Sequence, residues 1–444
     1  MTRPSSQTIH ENEVGNRFIE YYQSLGYHRI PGSSLLDDSV PMSFVMSAGM
    51  VQFERLSETV RDGDHFVLIQ NSFRYFDLEQ VGNTDTHLSL FRMPGAFDFG
   101  PVDHKRTISQ IWDLLTRVFG FNPGALYVTY FSGDMIDGQL FPADEETASA
   151  WHDMGVPRER IVGLPAKYNF WRQTRDAVGH RNSRKRGPNT EVFFDRGEEH
   201  ACGAQCFPGC GCGRFIEFLN TLFITHGMDE ISGLLVPLAE PFTEVVIGLE
   251  RVTAILQSKR SVFEIDTIYP LIQQVRCFSK PLPVALKGLE PTRLERTLVD
   301  HLRALLFLTA DGAPPPGKGG RARLMRILIR EFLTSQRLLG ITDRGFVRSM
   351  ILIALEYYPQ LASAEQRLLE YMSVERERFE RTVQLGMMDL DNRVERRHLS
   401  MQEILSMEKE QGLPSPLIRY QLWQKLGTKT DERHESSPVE KTGR

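Results

Sequence analysis

The chain has 444 residues, of which 41% are hydrophobic and 25% are charged, with a formal net charge of -5. This length exceeds one ordinary core, so we expect two or three domains of globular composition. No stretch approaches the ~20 apolar residues of a membrane helix, and the N-terminus lacks the apolar segment of a secretory signal, which favours a cytoplasmic protein without a membrane partner. With this charge, any nucleic-acid contact must use a local basic patch.

The first part of the chain mixes helical and strand patterns. Apolar residues at helical spacing, short β-branched runs and glycine stops define these elements. We predict helices at 14–26, 106–119 and 144–155, and strands at 43–46, 66–69 and 126–133. The elements do not alternate regularly as βαβ units, so the fold class is α+β with an antiparallel sheet.

After about residue 285 the pattern becomes helical throughout. Ranges 292–310, 321–338, 344–357 and 362–388 have helical periodicity, and PPPGKGG at 314–320 predicts a loop. The last residues are polar and lack an apolar face, which predicts a disordered tail. We therefore expect a first domain over 1–285, an all-helical domain over 286–425 and a tail over 426–444.

Four of the five cysteines lie within one glycine-rich stretch, CGAQCFPGCGC. Clustered thiols in a reducing compartment indicate a metal before disulfides. Four thiolates can form a closed, structural Zn²⁺ site, and free thiols are the alternative. The predicted ligands are Cys202, Cys206, Cys210 and Cys212, with His200 as a substitute. Cys277 stands alone in an apolar context, which predicts buried packing.

Several separated stretches resemble the alanyl-tRNA synthetases, a branch of the class II aminoacyl-tRNA synthetases, in the same order. They cover nearly the whole chain to about residue 425, and their order is more specific than any one motif. The stretches are LGYHRIPGSSLL with VMSAGMVQF, NSFRYFDLEQVGN with HLSLFRMPGAFDFG, NFW, GPNTEVFFDRG, RFIEFLNTLF, IGLERVTAILQ, DHLRALLFLTADG and MRILIREFL. The resemblance implies a class II synthetase-type antiparallel sheet flanked by helices, followed by the helical domain.

The resemblance also implies an ATP site. Arg74 and Arg251 match the family's two phosphate-binding arginines, and a fixed guanidinium suits the charge that develops on the α-phosphate. Read alone, an arginine in a first helical turn is usually a solvated charge. The other expected ATP residues are Asp77, Phe91 (on which adenine would stack) and Glu191. Mg²⁺ would accompany ATP, with Glu191 or Glu217 as its candidate ligands.

The resemblance places an amino-acid pocket at Trp171, Asn220, Glu244 and Val246. Glu244 stands where the family has an aspartate that holds the α-ammonium group. Val245 and Val246 replace a threonine and a glycine, and added bulk changes a pocket built of small residues. The sequence therefore predicts a small amino acid that need not be alanine. Arg92 replaces a family glutamate, which predicts a reversed charge beside the adenine site.

The helical domain resembles the family's tRNA-recognition helices, so a tRNA acceptor stem is the expected partner. Lys318 and Pro416 stand where the family's two base-reading residues would be. We expect phosphate contacts from Lys318, Arg321, Arg323 and Arg326, with Arg330 in the same stripe. An exposed helix face paired with local acids is an equal alternative. A basic loop at 172–186 is a further candidate for phosphate contact, with a solvated loop as its alternative.

Three functions remain open from the sequence. The first is an alanine–tRNA ligase-like enzyme that forms an aminoacyl-adenylate and transfers it to tRNA. The second is a paralogue that uses a non-tRNA acceptor in biosynthesis, which the altered pocket and the lost base-reading pair favour. The third is a non-catalytic RNA-binding descendant, which the two retained arginines disfavour. We expect a monomer without the family's editing and C-terminal domains.

Overall fold

The computed structural model describes residues 9–37, 43–48, 63–173, 185–229, 231–282, 289–396 and 401–426. The chain divides into two compact units, Met1–Tyr269 and Pro270–Arg444. The boundary expected after residue 285 falls inside the second unit. The expected tail beyond 426 and most of the basic loop at 172–186 lie outside the described residues.

One large, mainly antiparallel sheet forms the framework of the first unit. Its strands are β1 (His28–Arg29), β2 (His65–Phe73), β3 (Leu90–Phe99), β4 (Leu126–Phe131), β7 (Ile161–Leu164), β8 (Phe170–Arg172), β9 (Arg186–Asp195), β10 (Phe215–Met228) and β11 (Leu235–Ile247). The order is β1-β2-β3-β11-β10-β9-β4-β7, and β8 pairs with β9 off this path. Only the pairs β1–β2 and β4–β7 are parallel among the described strands. A separate hairpin joins β5 (Asp134–Ile136) to β6 (Gln139–Phe141).

Helices cover one face of this sheet. They are α1 (Glu11–Ser24), α2 (His104–Asp113), α3 (Glu145–Asp153) and α5 (Leu249–Leu256). The short helix α4 (Ala166–Asn169) packs in a separate cluster with Phe131, Ile136 and Phe170. A π-helical turn, Leu114–Val118, extends α2, so the helices predicted at 14–26, 106–119 and 144–155 are confirmed. The α+β class with a helix-flanked antiparallel sheet is also confirmed.

Strand alternation separates a helix-packed face from an open face. Phe18 of α1 and Ile111 of α2 pack in one core with Val245, while Val246 packs with Met93 and Leu222 in another. Successive strand residues point to opposite faces, so neighbours in sequence belong to different cores. The expectation that both valines line a pocket is therefore wrong for Val245, which is held in the helix-packed core.

Two further local expectations need correction. The range 43–46 is irregular rather than a strand, although the Phe73 amide donates to the Val45 carbonyl oxygen at 2.8 Å. Cys277 is exposed rather than buried, because the buried side of its helix is formed by Leu271, Ile272 and Val275 and Cys277 lies on another side. The strands predicted at 66–69 and 126–133 are confirmed as parts of β2 and β4.

The described part of the second unit is helical, as predicted. Its helices are α6 (Tyr269–Phe278), α7 (Pro291–Ala310), α8 (Gly320–Leu338), α9 (Phe346–Tyr357), α10 (Glu365–Arg396), α11 (Met401–Ser406) and α12 (Ser415–Leu426). The predicted loop at 314–320 joins α7 to α8. Inside this unit His301 lies between Asp300 and Glu331, at 3.1 and 2.6 Å. Burial lowers the pKa of His301, but hydrogen bonds to the two carboxylates outweigh it and raise the pKa to about 9.

Candidate active site

A cavity of about 330 Å³ opens on the face of the sheet that the helices do not cover. Strands β3, β9, β10 and β11, the start of α5 and the segment after β2 contribute its walls. The lining includes all nine residues predicted for ATP and the amino acid: Arg74, Asp77, Phe91, Trp171, Glu191, Asn220, Glu244, Val246 and Arg251. These residues span nearly 180 positions of sequence, so the fold rather than local sequence brings them together.

Arg251 is held at one side of the cavity by backbone and side-chain acceptors. It lies in the first turn of α5, which begins after Gly248. Its Nη1 donates to the Glu217 carbonyl oxygen at 2.9 Å, and its Nε donates to the Thr86 carbonyl oxygen at 3.3 Å. Nη1 also lies 3.4 Å from Oε2 of Glu217. These contacts fix the guanidinium, while about a quarter of the side chain stays exposed towards the cavity.

Gly248 does not owe its place to an unusual backbone conformation. Its φ is -81°, which any residue adopts, and it lines the cavity beside Arg251. A Cβ built there would meet the Arg251 side chain at 3.5 Å, which is ordinary contact. Close approach of a ligand to the backbone therefore remains the reason to expect glycine at this turn.

Arg74 lies across the same cavity against an aromatic ring. Its guanidinium carbon is 4.8 Å from the centroid of Phe91, and its Nε donates to the Met46 carbonyl oxygen at 3.2 Å. Burial lowers the pKa of Arg74, Asp77 raises it, and the positive charge of Arg251 lowers it further. The two arginines therefore act on each other electrostatically, and an anion between them would relieve their repulsion.

Carboxyl and amide groups occupy the floor of the cavity. Asn220 donates to Oε1 of Glu191 at 3.0 Å, and Asn189 donates to the Asn220 side-chain oxygen at 3.1 Å. The cross-strand register between β9 and β10 pairs Asn220 with Glu191. Burial, and then the charge of Glu217, raise the pKa of Glu191 well above the usual carboxyl range. A cation bound between Glu191 and Glu217 would reverse this shift.

The predicted amino-acid residues line the cavity from three strands. Trp171 comes from β8, Asn220 from β10, and Glu244 and Val246 from β11. Glu244 is 1% exposed and Val246 is 6% exposed, so the cavity wall there is closely packed. A buried carboxylate beside an aromatic wall suits a small ligand that carries an ammonium group.

Arg92 does not place a charge beside the Phe91 ring, contrary to the expectation. Strand alternation turns it to the helix-packed side, where its Nη2 lies 2.8 Å from Glu11 of α1. Its backbone amide donates to the Glu250 carboxylate at 3.1 Å. Glu250 also lines the cavity and was not predicted. Its position next to Arg251 could have indicated a place in the cavity, but the packing of α5 against β3 could not be predicted from the sequence.

The four clustered cysteines converge in the loop between β9 and β10. Their sulfur atoms all lie within 4.8 Å of one another, and four of the Sγ–Sγ distances are 3.7, 3.6, 3.5 and 3.0 Å. A tetrahedral zinc ion with Zn–S bonds of about 2.3 Å needs sulfur separations of roughly 3.8 Å. A backbone hydrogen bond from Arg214 lowers the pKa of Cys212 to about 6, which favours the thiolate that binds metal. Hydrogen bonds with the other thiols raise the pKa of Cys202, and burial raises that of Cys206, so metal binding at these two must displace a proton. His200 is not part of this group among the described residues.

The predicted tRNA-binding residues lie on and before α8 in the second unit. Lys318 and Arg323 are exposed, and Arg321 and Arg326 are half-buried. Arg330 is different, because its Nε donates to the buried Glu375 at 2.6 Å. Arg330 therefore forms a structural ion pair, whereas the sequence analysis expected it in a phosphate-binding stripe. None of the helices in the described parts of the chain combines the length and apolar character needed to span a bilayer.

Comparisons with known proteins agree with this geometry. The family described as tRNA synthetases class II (A) matches residues 13–441. An alanine–tRNA ligase of Desulforudis audaxviator is 32% identical over 387 residues, which cover 85% of this chain and 41% of that protein. One from Dehalococcoides mccartyi is 31% identical over 383 residues, covering 85% of this chain and 41% of that protein. One from Thermoanaerobacter is 29% identical over 444 residues, covering 97% and 48%. The chain thus spans less than half the length of these relatives.

Proposed function

Because the chain belongs to the family of class II (A) tRNA synthetases, we propose that it is an ATP-dependent ligase that activates an amino acid and transfers it to tRNA. The observation that carries this proposal is the convergence of Arg74 and Arg251 on one cavity. Phe91 lies in direct contact with the Arg74 guanidinium, so a nucleotide beside the pair would meet both a ring and a cation. The relatives named above are alanine–tRNA ligases, which favours alanine as the first amino acid to test.

Arg74 and Arg251 would act on the α-phosphate during activation. The amino-acid carboxylate attacks this phosphorus, the bond to the β-phosphate oxygen breaks, and pyrophosphate leaves. Negative charge grows on the equatorial oxygens of the α-phosphate in the transition state, and two preoriented guanidinium groups stabilise it there more than in the ground state. The backbone acceptors of Arg251 hold its fork in place before ATP arrives.

Glu191 and Glu217 are the residues that would hold Mg²⁺. Their carboxylates share the cavity with the two arginines, and Mg²⁺ prefers such oxygen ligands. When bound, the ion supplies charge neutralisation at the phosphate oxygens. Burial and the charge of Glu217 raise the pKa of Glu191, and a bound divalent cation would lower it.

Glu244, Asn220 and Trp171 would bind the amino acid. The buried Glu244 carboxylate would pair with the α-ammonium group, and Asn220 is oriented by its bond to Glu191. Val246 fills part of the floor and limits the side chain to a small one. This arrangement orients the substrate carboxylate towards the arginines, which is where proximity contributes most to rate.

The acceptor and the zinc ion complete the proposal. Lys318, Arg321, Arg323 and Arg326 would contact phosphates of the tRNA acceptor stem. The cysteine loop, residues 202–212, would hold one structural Zn²⁺, since its four sulfurs already have nearly tetrahedral spacing. A cytoplasmic location and a monomeric state stay predictions.

Pyrophosphate exchange tests the proposed activation step. The wild-type chain is expected to exchange labelled pyrophosphate into ATP in the presence of L-alanine or another small amino acid. Arg74→Ala and Arg251→Ala should each reduce exchange by about 100- to 1,000-fold, the usual cost of removing one transition-state donor. Arg117→Ala is the matched control, because Arg117 is exposed and pairs with Asp113 on its own helix.

The outcomes separate the candidate functions. No exchange with any of the common amino acids would overturn the ligase proposal and leave an RNA-binding role. Exchange without charging of total tRNA would point to a different acyl acceptor. Exchange that survives both arginine substitutions would remove the assigned roles.

A further inference from the structure

The loop between β9 and β10 is attached to the first unit at two places, its neck and its tip. At the neck, Arg214 donates to both carboxylate oxygens of Asp195, each at 2.8 Å. This bidentate pair closes the loop where the two strands diverge. At the tip lie the four cysteines, with Phe207 and Gly209 between them. The neck needs no metal to hold its shape, because a side-chain ion pair and strand pairing already fix it.

The tip packs against a residue that leads directly into the cavity wall. The rings of Phe207 and Tyr168 are perpendicular, with centroids 5.8 Å apart. A Cβ built on Gly209 would lie 3.3 Å from Phe207 and 3.4 Å from the Tyr168 ring, so this glycine is next to Tyr168, and its φ of 110° favours glycine. Tyr168 belongs to α4, which passes without a break into β8 and Trp171. Three positions therefore separate the contact with the tip from the aromatic wall of the cavity.

The rest of α4 is also tied to the cavity floor. The Asn169 side-chain nitrogen Nδ2 donates to the Asn189 carbonyl oxygen at 2.9 Å, and Nδ2 of Asn189 donates to Oδ1 of Asn220 at 3.1 Å. A displacement of Tyr168 would therefore move Trp171 through the chain itself and Asn220 through the hydrogen bonds of Asn169 and Asn189. These are the residues assigned above to amino-acid binding rather than to ATP.

The neck, by contrast, leads to the ATP side. Arg196 lies 3.7 Å from Asp85, and the next residue, Thr86, supplies the carbonyl that holds Arg251. Strand β10 begins directly after Arg214 and includes Glu217, whose carbonyl oxygen is the second acceptor of Arg251. Both connections begin at the neck, which the Asp195–Arg214 pair fixes. Loss of order at the tip would therefore leave the ATP side in place.

Order at the tip must come from the cysteines. Cys202 and Cys212 are exposed, and the intervening sequence is rich in glycine and has few apolar groups to bury. Such a segment cannot offset the conformational entropy of ordering by packing alone. Metal binding by four thiolates supplies that free energy directly, as in other structural zinc sites.

We propose that zinc held by Cys202, Cys206, Cys210 and Cys212 positions the Trp171 wall through Phe207 and Tyr168, so that metal occupancy sets amino-acid affinity and not ATP affinity. The ion thus acts as a brace for one substrate subsite. The inference rests on the proposed function where it is tested by Michaelis constants, but not where it is tested by zinc content and hydrogen exchange.

The kinetic test compares the two Michaelis constants with and without metal. Removal of zinc by a chelator that is dialysed away before Mg²⁺ and ATP are added, or Cys202→Ser, is expected to raise the KM for the amino acid about tenfold in pyrophosphate exchange, equivalent to about 1.4 kcal/mol. The KM for ATP should change less than twofold, and zinc should restore the chelated protein. L-alanine is the first probe, followed by whichever amino acid gives the fastest wild-type exchange. Equal changes in both constants would overturn the inference.

A zinc-retaining variant separates positioning from loss of the fold. Phe207→Ala should keep one zinc per chain by metal analysis and still raise the amino-acid KM. Tyr168→Ala should act in the same direction, while Tyr168→Phe, which keeps the ring, should behave as wild type. Zinc-retaining Phe207→Ala protein with unchanged amino-acid KM would overturn the inference.

Hydrogen exchange gives a readout that does not depend on activity. Chelation should speed amide exchange in a peptide covering residues 166–172 and leave the peptide around Arg251 unchanged. The inference is refuted if the purified wild-type protein contains no zinc, or if chelation changes the exchange of both peptides equally. If zinc and the difference in exchange both appear but the wild type shows no pyrophosphate exchange, the proposed ligase function fails while the brace stands.

Discussion

The cavity in the first unit gathers its charged side chains from distant parts of the chain, whereas helix α8 in the second unit carries its arginines within a few turns. Arg74, Glu191, Glu244 and Arg251 come from four different elements and still line one space. Lys318, Arg323 and Arg326 are neighbours because they are close in sequence. Convergence of distant charges costs desolvation and repulsion, which favours a ligand as its explanation. A row of charges on a helix needs none.

The ion pair of Arg330 shows why the second pattern is weaker. It has the same spacing as its neighbours, yet its guanidinium contacts Glu375, which is 1% exposed. Sequence spacing alone did not distinguish this arginine from Arg326. The structure thus gives the cavity a stronger claim to ligand binding than the helix, and each prediction below tests that contrast.

Of the three variants that test this contrast, Glu244→Gln is expected to have the largest effect. Glu244→Gln keeps the shape of the side chain and removes the charge that would pair with the α-ammonium group. A lost hydrogen bond between charged groups in a buried site costs about 2–3 kcal/mol, so the amino-acid KM should rise about 30- to 100-fold. The KM for ATP should stay within about twofold. Both constants are measured by pyrophosphate exchange.

Glu240→Gln is the control for Glu244, since Glu240 lies on the same strand but is exposed. It should leave both constants unchanged. If both variants raised the amino-acid KM equally, the effect would come from the loss of any negative charge on β11. The cavity would then have no stronger evidence for ligand binding than α8.

The family, the helix-flanked antiparallel sheet and the helical character of the second unit could all be predicted from the sequence. The motif residues were enough for the cavity because the order of their stretches matches one family, although a single residue such as the arginine after the GLE turn carries little signal alone. Arg92, Val245 and Glu250 were harder, because the face they occupy depends on register between strands and helices. One position of register exchanges the two faces of a strand, and no local pattern specifies it here.

The next effect is expected on stability rather than on ligand binding. Arg330→Ala leaves the buried carboxylate of Glu375 with only the longer 3.6 Å contact to Arg378 among the described pairs. We expect a loss of about 2 kcal/mol in the free energy of unfolding, below the full cost for a buried pair because a quarter of the Arg330 side chain is exposed. Denaturant unfolding measures it.

Arg326→Ala is the matched control, four residues earlier on the same helix, and should change stability by less than about 0.5 kcal/mol. Equal losses would show that both arginines hold the helices together. The remaining claim of α8 to a phosphate ligand would then weaken further.

The smallest effect is expected at Arg323. It is exposed, so Arg323→Ala should leave the fold and pyrophosphate exchange unchanged. If it contacts one phosphate of the acceptor stem, the KM for tRNA should rise about two- to fivefold and the salt dependence of binding should weaken by about one unit of slope. Arg381→Ala, an exposed arginine of α10, is the control. If the salt dependence of tRNA binding changes in Arg323→Ala but not in Arg381→Ala, α8 contacts a phosphate of the acceptor stem. If the two variants have the same salt dependence, the arginines of α8 form a solvated helix face, and the cavity is the binding site that the data support.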